Sequence, residues 1–305
     1  MRIGLIGALS AAVLAFGSVG PAAATASAIP STASSVTASS VTVPMGIPAA
    51  ATVRDAPTVT ARAAYLVDTT AETVPFAKRD TRRVPVASLT KVMTAYVVRQ
   101  EASLDDVITI TAADVMHAVT GGATSGGLRP GERLTVRELL YALMLPSGAD
   151  ASHALAERYG PGTRGFVDKM NAAAAKLGLR DTRYANPDGL PAKGGYSTAR
   201  DQVALARIAL DDPVIAVIAK KRTHTVAASK VHRAHVWRNT NTLLGYGAIG
   251  LKTGYTAAAG FCLTFAAVRN EHTFVGVVLG EASEASRLAT ARKLLDWAGE
   301  EVSDA

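Results

Sequence analysis

One cysteine in 305 residues excludes an internal disulfide. Cys262 lies in the apolar run Phe261-Cys262-Leu263-Thr264-Phe265 and reads as a small buried residue. Blocks of lysine and arginine are missing, and basic and aromatic residues do not interleave. Both absences argue against a nucleic-acid partner, although the net charge is +7. That modest basic excess fits an anionic surrounding without naming one. The loop Gly121-Gly122-Ala123-Thr124-Ser125-Gly126-Gly127 is not followed by Gly-Lys-Ser/Thr, so it is no phosphate loop. His224, His232 and His235 cluster, but no acidic residue or cysteine completes a ligand set at fitting spacing. They are expected in strands and turns near the surface, and neither a metal nor a cofactor is expected. Asp105-Asp106 and Asp211-Asp212-Pro213 read as turns at element ends.

Long apolar runs are almost absent as well. The one candidate is Ile3 to Val19, preceded by Met1-Arg2 and followed by Ala24-Thr25-Ala26 and Ala26-Ser27-Ala28. It is too short and too glycine-broken for a stable span, and it reads as a cleavable secretory signal over residues 1–28. The mature chain is therefore expected outside the cytoplasmic membrane, secreted or in the cell envelope, with no stable span. Residues 29–60, rich in Ser, Thr, Ala and Pro, read as a disordered spacer. One folded domain is expected over 61–300, and a short tail over 301–305.

What is present is a sequence with 49% hydrophobic residues and clear element signals. Ala63–Asp68 and a stretch near Thr73–Phe76 read as a hairpin, and Val107–Ile110 as a strand. A helix runs from Ser88 to about Gln100. Thr135 with Glu138 forms a capping box ahead of Leu139, Leu140, Leu143 and Met144. Further helices follow through Ala156, over Phe166–Leu177 to Gly178, and from a Ser197 or Thr198 cap to Leu210. Asn186-Pro187-Asp188-Gly189 is a turn. The last third turns strand-rich: 224–226, 235–237, a strand–turn at 250–254, then 261–269 and 273–280 joined at Asn270-Glu271. A helix over Ser286–Trp297 closes the chain, and Trp237 and Trp297 read as core. Strands at both ends with helices between predict one α/β unit. Its mainly antiparallel sheet is assembled from both ends, with a helical subdomain inserted.

Ser88 and Lys91 stand three residues apart, one turn of a helix and one face. A serine hydroxyl needs a base to become a nucleophile, and a lysine with a depressed pKa can serve. Two further patches accompany the pair, Ser147-Gly148-Ala149 and Lys252-Thr253-Gly254. With Asn186-Pro187-Asp188-Gly189-Leu190, Tyr196 to Asp201, Asn239-Thr240-Asn241 and Gly250 to Phe261, the chain resembles the serine D-alanyl-D-alanine carboxypeptidases, the low-molecular-weight penicillin-binding proteins. The resemblance covers about residues 61 to 300.

It implies a β-lactamase/transpeptidase-like fold and specific roles. Ser88 attacks the peptide carbonyl, and Lys91 accepts its proton, kept neutral by desolvation or by the neighbouring cation Lys252. Ser147 passes the proton to the leaving amine. Lys252, Thr253 and Arg287 hold the terminal carboxylate, while the backbone N–H groups of Ser88 and Tyr255, beyond Gly254, form the oxyanion hole. The implied ligands are the peptidoglycan stem peptide and β-lactam antibiotics. One position departs: the middle motif is Ser147-Gly148-Ala149, where the family usually has Ser-x-Asn. An active enzyme with another group filling the gap, an enzyme with altered acylation, and a non-catalytic peptidoglycan binder all stay open. A DD-endopeptidase stays open too. A class A β-lactamase would need a Glu-x-x-x-Asn loop, which is absent between Ser147 and Lys252.

Overall fold

The computed structural model describes residues 56–303. The expected signal, and the spacer up to residue 55, lie outside the described residues. The end of the expected spacer does not. Val59 is buried, its carbonyl accepts from Lys78 Nζ at 2.5 Å, and Thr60 Oγ1 donates to Glu281 at 2.8 Å. Packed chain therefore begins a few residues ahead of Ala61.

Five strands form one antiparallel sheet in the order β2-β1-β9-β8-β7. These are β1 (Ala63–Asp68), β2 (Thr73–Lys78), β7 (Ala248–Thr256), β8 (Gly260–Arg269) and β9 (His272–Glu281). The first two come from one end of the chain and the last three from the other, as the strand pattern predicted. Tyr65 lies opposite Val277, and Lys252 opposite Thr264. Both faces of β1 are covered, so alternation separates two apolar layers. Ala64 and Leu66 join Phe265, Phe274 and Val278 under the closing helix α8 (Glu284–Ser303). Tyr65 and Val67 join Val277 and Leu279 under the inserted helices. Asn270 and Glu271 both adopt positive φ, 48° and 67°, which gives the β8–β9 hairpin the twist of a two-residue primed turn.

The insert is organised on α1 (Lys91–Glu101), which contacts α3 (Val136–Met144), α4 (Ala149–Tyr159), α5 (Gly162–Lys176) and α6 (Ala199–Asp211). Val92, Met93, Ala95, Val97 and Val98 are buried on several sides of α1, as a helix enclosed by others requires. The Thr135–Glu138 capping box forms as expected, and Thr198 caps α6 by accepting from Asp201 N at 3.1 Å.

Several elements depart from the sequence pattern. The nine-residue helix α2 (Ala112–Thr120) starts at a Thr111–Asp114 capping box. The short strands β3 (Val107–Thr109) and β4 (Arg133–Thr135) pair. Asp212 is not a turn residue but the N-cap of α7 (Pro213–Lys220), accepting from Val214 N and Ile215 N, with Pro213 as the first helical residue. Helix α8 reaches Ser303, into the expected tail. His235, on β6 (His235–Arg238), is not near the surface. It is 4% exposed and sits 3.2 Å from Glu132, while His224 on β5 (Thr223–Val226) stacks on Tyr141.

Candidate active site

Ser88 lies in a one-turn 3-10 helix, Ala87–Thr90, and Lys91 opens α1. The nucleophile candidate is thus ahead of the α-helix, not inside it. Two glycines explain how closely this turn is wedged. A Cβ on Gly254 of β7 would sit 3.0 Å from both Ser88 N and Val86 O. A Cβ on Gly189 would sit 1.9 Å from Ala87 O, at φ +81°. The Asn186–Gly189 turn and the edge strand β7 therefore clamp the Ser88 turn from two sides. Ala87 is left at φ +50°, a conformation an L-residue adopts only at a cost.

Lys91 is 2% exposed, while Ser88 is half-buried. Lys91 Nζ donates to Ser88 Oγ at 3.0 Å and to the Asp188 carbonyl at 2.7 Å. Burial lowers its pKa to about 8, against the opposing pull of the Asp188 and Asp150 carboxylates. The sequence reading offered burial or the neighbouring Lys252 as the cause. In the structure burial leads, and repulsion from Lys91 adds to the depression of Lys252.

The carbonyl that holds Lys91 belongs to a braced turn. Thr94 Oγ1 and Ser152 Oγ both donate to Pro187 O, at 2.5 and 2.9 Å. Asn186 Oδ1 accepts from Gly189 N at 2.7 Å. The buried Asp188 carboxylate accepts from Leu190 N at 3.0 Å and lies 2.5 Å from His117 Nε2. Burial alone would raise the Asp188 pKa. The His117 contact and the Lys91 charge outweigh it and hold the group below its ordinary value. His117 carried no sequence signal toward this role.

The middle patch sits at the start of α4. Ser147 is 5% exposed at φ +67°, and its Oγ has no hydrogen-bond partner among the described residues. A buried hydroxyl left open in this way is free to take a ligand or a proton. Gly148 admits no side chain: a Cβ would meet Asp150 Oδ1, Gly126 N and Ala142 O at 2.7–2.8 Å. Asp150 accepts from Ser125 Oγ (2.6 Å), Gly126 N (2.7 Å), Leu128 N (3.2 Å) and Ala151 N (2.9 Å). The glycine-rich loop is therefore a collar around this carboxylate. Ala149 is fully buried, and its N–H donates to Thr124 O at 2.8 Å. No amide is present there to hold Lys91, which is held by the Asp188 carbonyl.

A cationic wall faces these groups. Lys252 is 1% exposed, and Nζ donates to the Thr253 carbonyl at 3.0 Å. Its pKa is pushed well down by burial, then by Lys91 and Arg287. Arg287, buried in the first turns of α8, donates to Cys262 O and Glu284 and lies over the Phe261 ring. Thr253 Oγ1 lies 2.6 Å from Thr240 Oγ1. Lys252, with no carboxylate against it, and Arg287, paired only with the exposed Glu284, make a buried basic wall that suits an anionic ligand. Tyr255 is exposed, its ring against Phe261, on the edge strand next to the Ser88 turn. Lys91, Lys252 and Arg287 thus come together from α1, β7 and α8, and the segment that carries Ser147 is tied to β7 through Thr240, which donates to Leu145 O and meets Thr253. Asp188, Asp150, Thr94, Thr240 and His117 join them as partners that sequence reasoning had not assigned.

A family profile described as Peptidase S11, D-alanyl-D-alanine carboxypeptidase, matches residues 50–283. A D-alanyl-D-alanine carboxypeptidase of Streptomyces sp. (strain K15) is 36% identical over 255 residues, covering 79% of this chain and 88% of that one. The carboxypeptidase DacF of Bacillus subtilis (strain 168) is 34% identical over 245 residues, 78% of this chain and 62% of that one, so the chain spans less than two thirds of this relative. The crystal structure of the Streptomyces K15 DD-transpeptidase superposes with a TM-score of 0.76 at 37% identity, covering 80% of this chain and 98% of that one.

Proposed function

Because the chain belongs to the D-alanyl-D-alanine carboxypeptidase family of peptidases, we propose that it is an exported serine enzyme that removes the terminal D-alanine from the peptidoglycan stem peptide. The observation that carries this reading is a buried lysine 3.0 Å from a half-exposed serine, with its pKa lowered to about 8. Near neutral pH a working fraction of Lys91 is unprotonated and in hydrogen-bond reach of the proton it must take. Ser88 Oγ attacks the carbonyl carbon of the scissile amide, and Lys91 receives its proton. The oxyanion is held by the N–H groups of Ser88 and Tyr255. The proton passes through Ser147 to the leaving nitrogen, and the C–N bond breaks to release D-alanine. Water then attacks the acyl-serine ester, which restores Ser88 and frees the shortened peptide. Lys252, Thr253 and Arg287 hold the carboxylate of the leaving D-alanine. β-Lactams, which mimic that dipeptide, acylate the same serine.

Export rests on the Met1–Ala28 pattern, and no helix among the described residues is long and apolar enough to cross a membrane. A second reading is favoured by one comparison. The Streptomyces K15 structure is described as a DD-transpeptidase, in which an amine takes the place of water as acceptor. Labelled penicillin and release of D-alanine from diacetyl-Lys-D-Ala-D-Ala test both readings. Expected are a covalent label and free D-alanine, both abolished in S88A. A rise in aminolysed product when glycine or another amine is added marks the transpeptidase. Activity surviving in S88A refutes the nucleophile assignment, and absence of both label and D-alanine from the wild type refutes the enzyme.

A further inference from the structure

A cavity of about 380 Å³ opens beside the Ser88 turn, lined on β7 by Thr256, beyond Lys252 and Thr253 along the strand. Ala87, Thr90 and Gly189, which pack against one another, line it together with Thr256 of β7. Its lining also carries Arg183, Lys193 and Tyr196. No aspartate or glutamate lines it. Among the described residues, neither Arg183 nor Lys193 has a carboxylate partner, and Asp181, on the same segment, is taken by Arg83 at 2.7 Å. The two charges share one rim. The Arg183 backbone is bridged to Tyr196 by hydrogen bonds of 2.9 Å in each direction, and its guanidinium lies over Gly194, next to Lys193.

The polarity of the bound peptide connects this cavity to the reaction, and this step rests on the proposed carboxypeptidase reading. With the terminal carboxylate at Lys252 and Thr253 and the scissile carbonyl at Ser88 and Tyr255, the acyl side of an extended peptide continues past Tyr255. At roughly 3.3 Å per residue, the next residues of the peptide reach Thr256 and the cavity mouth. We infer that this cavity is the subsite for the residues preceding D-Ala-D-Ala, and that Arg183 and Lys193 select a carboxylate carried there. The ligand class is a stem peptide with an acidic, not amidated, group on its acyl side. Exposed charge pairs are screened, so the preference is modest, about 3- to 10-fold in kcat/KM for the two cations together.

The test uses matched D-Ala-D-Ala peptides and the whole protein. In one arm the carboxylate, or its amide, ends the side chain of the residue just before D-Ala-D-Ala. In the other arm it is the α-carboxylate, or amide, of a γ-linked glutamate one residue earlier. The expected result is an acid-to-amide ratio of kcat/KM of about 3–10 in one arm, which identifies the position read. That ratio falls toward 1 in R183Q/K193Q and in high salt. A ratio of 1 or less in both arms, or a ratio kept by the double variant, overturns the subsite. Failure of the wild type to hydrolyse diacetyl-Lys-D-Ala-D-Ala or to take a penicillin label is a different result, because it removes the carboxypeptidase reading and the subsite with it.

Discussion

Replacing Lys91 with methionine removes a buried ammonium and keeps an unbranched chain of similar length. The folded protein holds Lys91 at a pKa of about 8, against 10.5 when it is free in solution. The charged form is therefore the penalised one. The penalty is complete below about pH 8 and disappears as pH rises from there toward 10.5. Linkage puts it at about 3 kcal/mol at pH 7 and at less than about 1 kcal/mol at pH 10. The fixed terms in the substitution, such as the Ser88 hydroxyl and Asp188 carbonyl left without their donor, do not vary with pH. Only the slope needs reading. Urea unfolding of both proteins at pH 7, 8, 9 and 10 should show the wild type gaining about 2–3 kcal/mol on K91M over that range. Lys252 acts in the same direction, because part of its own depression comes from Lys91 and is relieved in the variant. Stability curves that run parallel in pH refute the idea that the site stores a desolvated base.

Two further substitutions probe the braces around that base. Gly189→Ala places a methyl 1.9 Å from Ala87 O at φ +81°, so the Asn186–Gly189 turn must lift away and the Lys91–Asp188 bond must break. Penicillin labelling should slow by about 100-fold or more, on the order of 3 kcal/mol of lost positioning, while far-UV circular dichroism stays near wild type; labelling at the wild-type rate contradicts the clamp. Ala149→Asn forces an amide into a fully buried position whose backbone is already tied to Thr124. The expected outcome is a lower melting temperature, for a cost of about 1–3 kcal/mol, without faster acylation. Faster acylation at unchanged stability shows that the missing amide, and not the Asp188 carbonyl, limits the reaction.

Periodicity and turn chemistry carried the sheet and most helices. The β1 run, the Asn270-Glu271 hairpin and the Thr135 capping box all act through near neighbours, so they were legible. Helix α2 and helix α7 were not read, although both carry local caps. Asp212-Pro213 was taken for a stop when the pair is a start, because an N-cap followed by proline resembles a turn until the helix beyond it is seen. His235 was placed at the surface because its partner, Glu132, lies 103 residues away. The same distance effect hid the site's supports. Ser88 and Lys91 were visible from their spacing, and Ser147 and Lys252 from the family motifs that the chain resembles. The group that grips Lys91 is a main-chain carbonyl, which any residue at position 188 possesses. The two causes offered for the lysine's low pKa could be named but not weighed, for a related reason: burial belongs to the packed molecule, whereas a neighbouring lysine can be found by reading the chain.

The sheet that carries the edge strand joins the two ends of the described chain, and this has a kinetic consequence. Thr60 is hydrogen-bonded to Glu281, 221 residues later, and β1 lies directly against β9. Contacts of such sequence separation form late and slowly. Gly254 of β7 packs against the Ser88 turn, so that turn is complete only once the late strands have docked. A chain stopped before β7, or held unfolded in a narrow passage, carries the Ser88–Lys91 pair but not a reactive serine. Competence therefore depends on the docking of strands that are synthesised last, and not on synthesis of the serine alone.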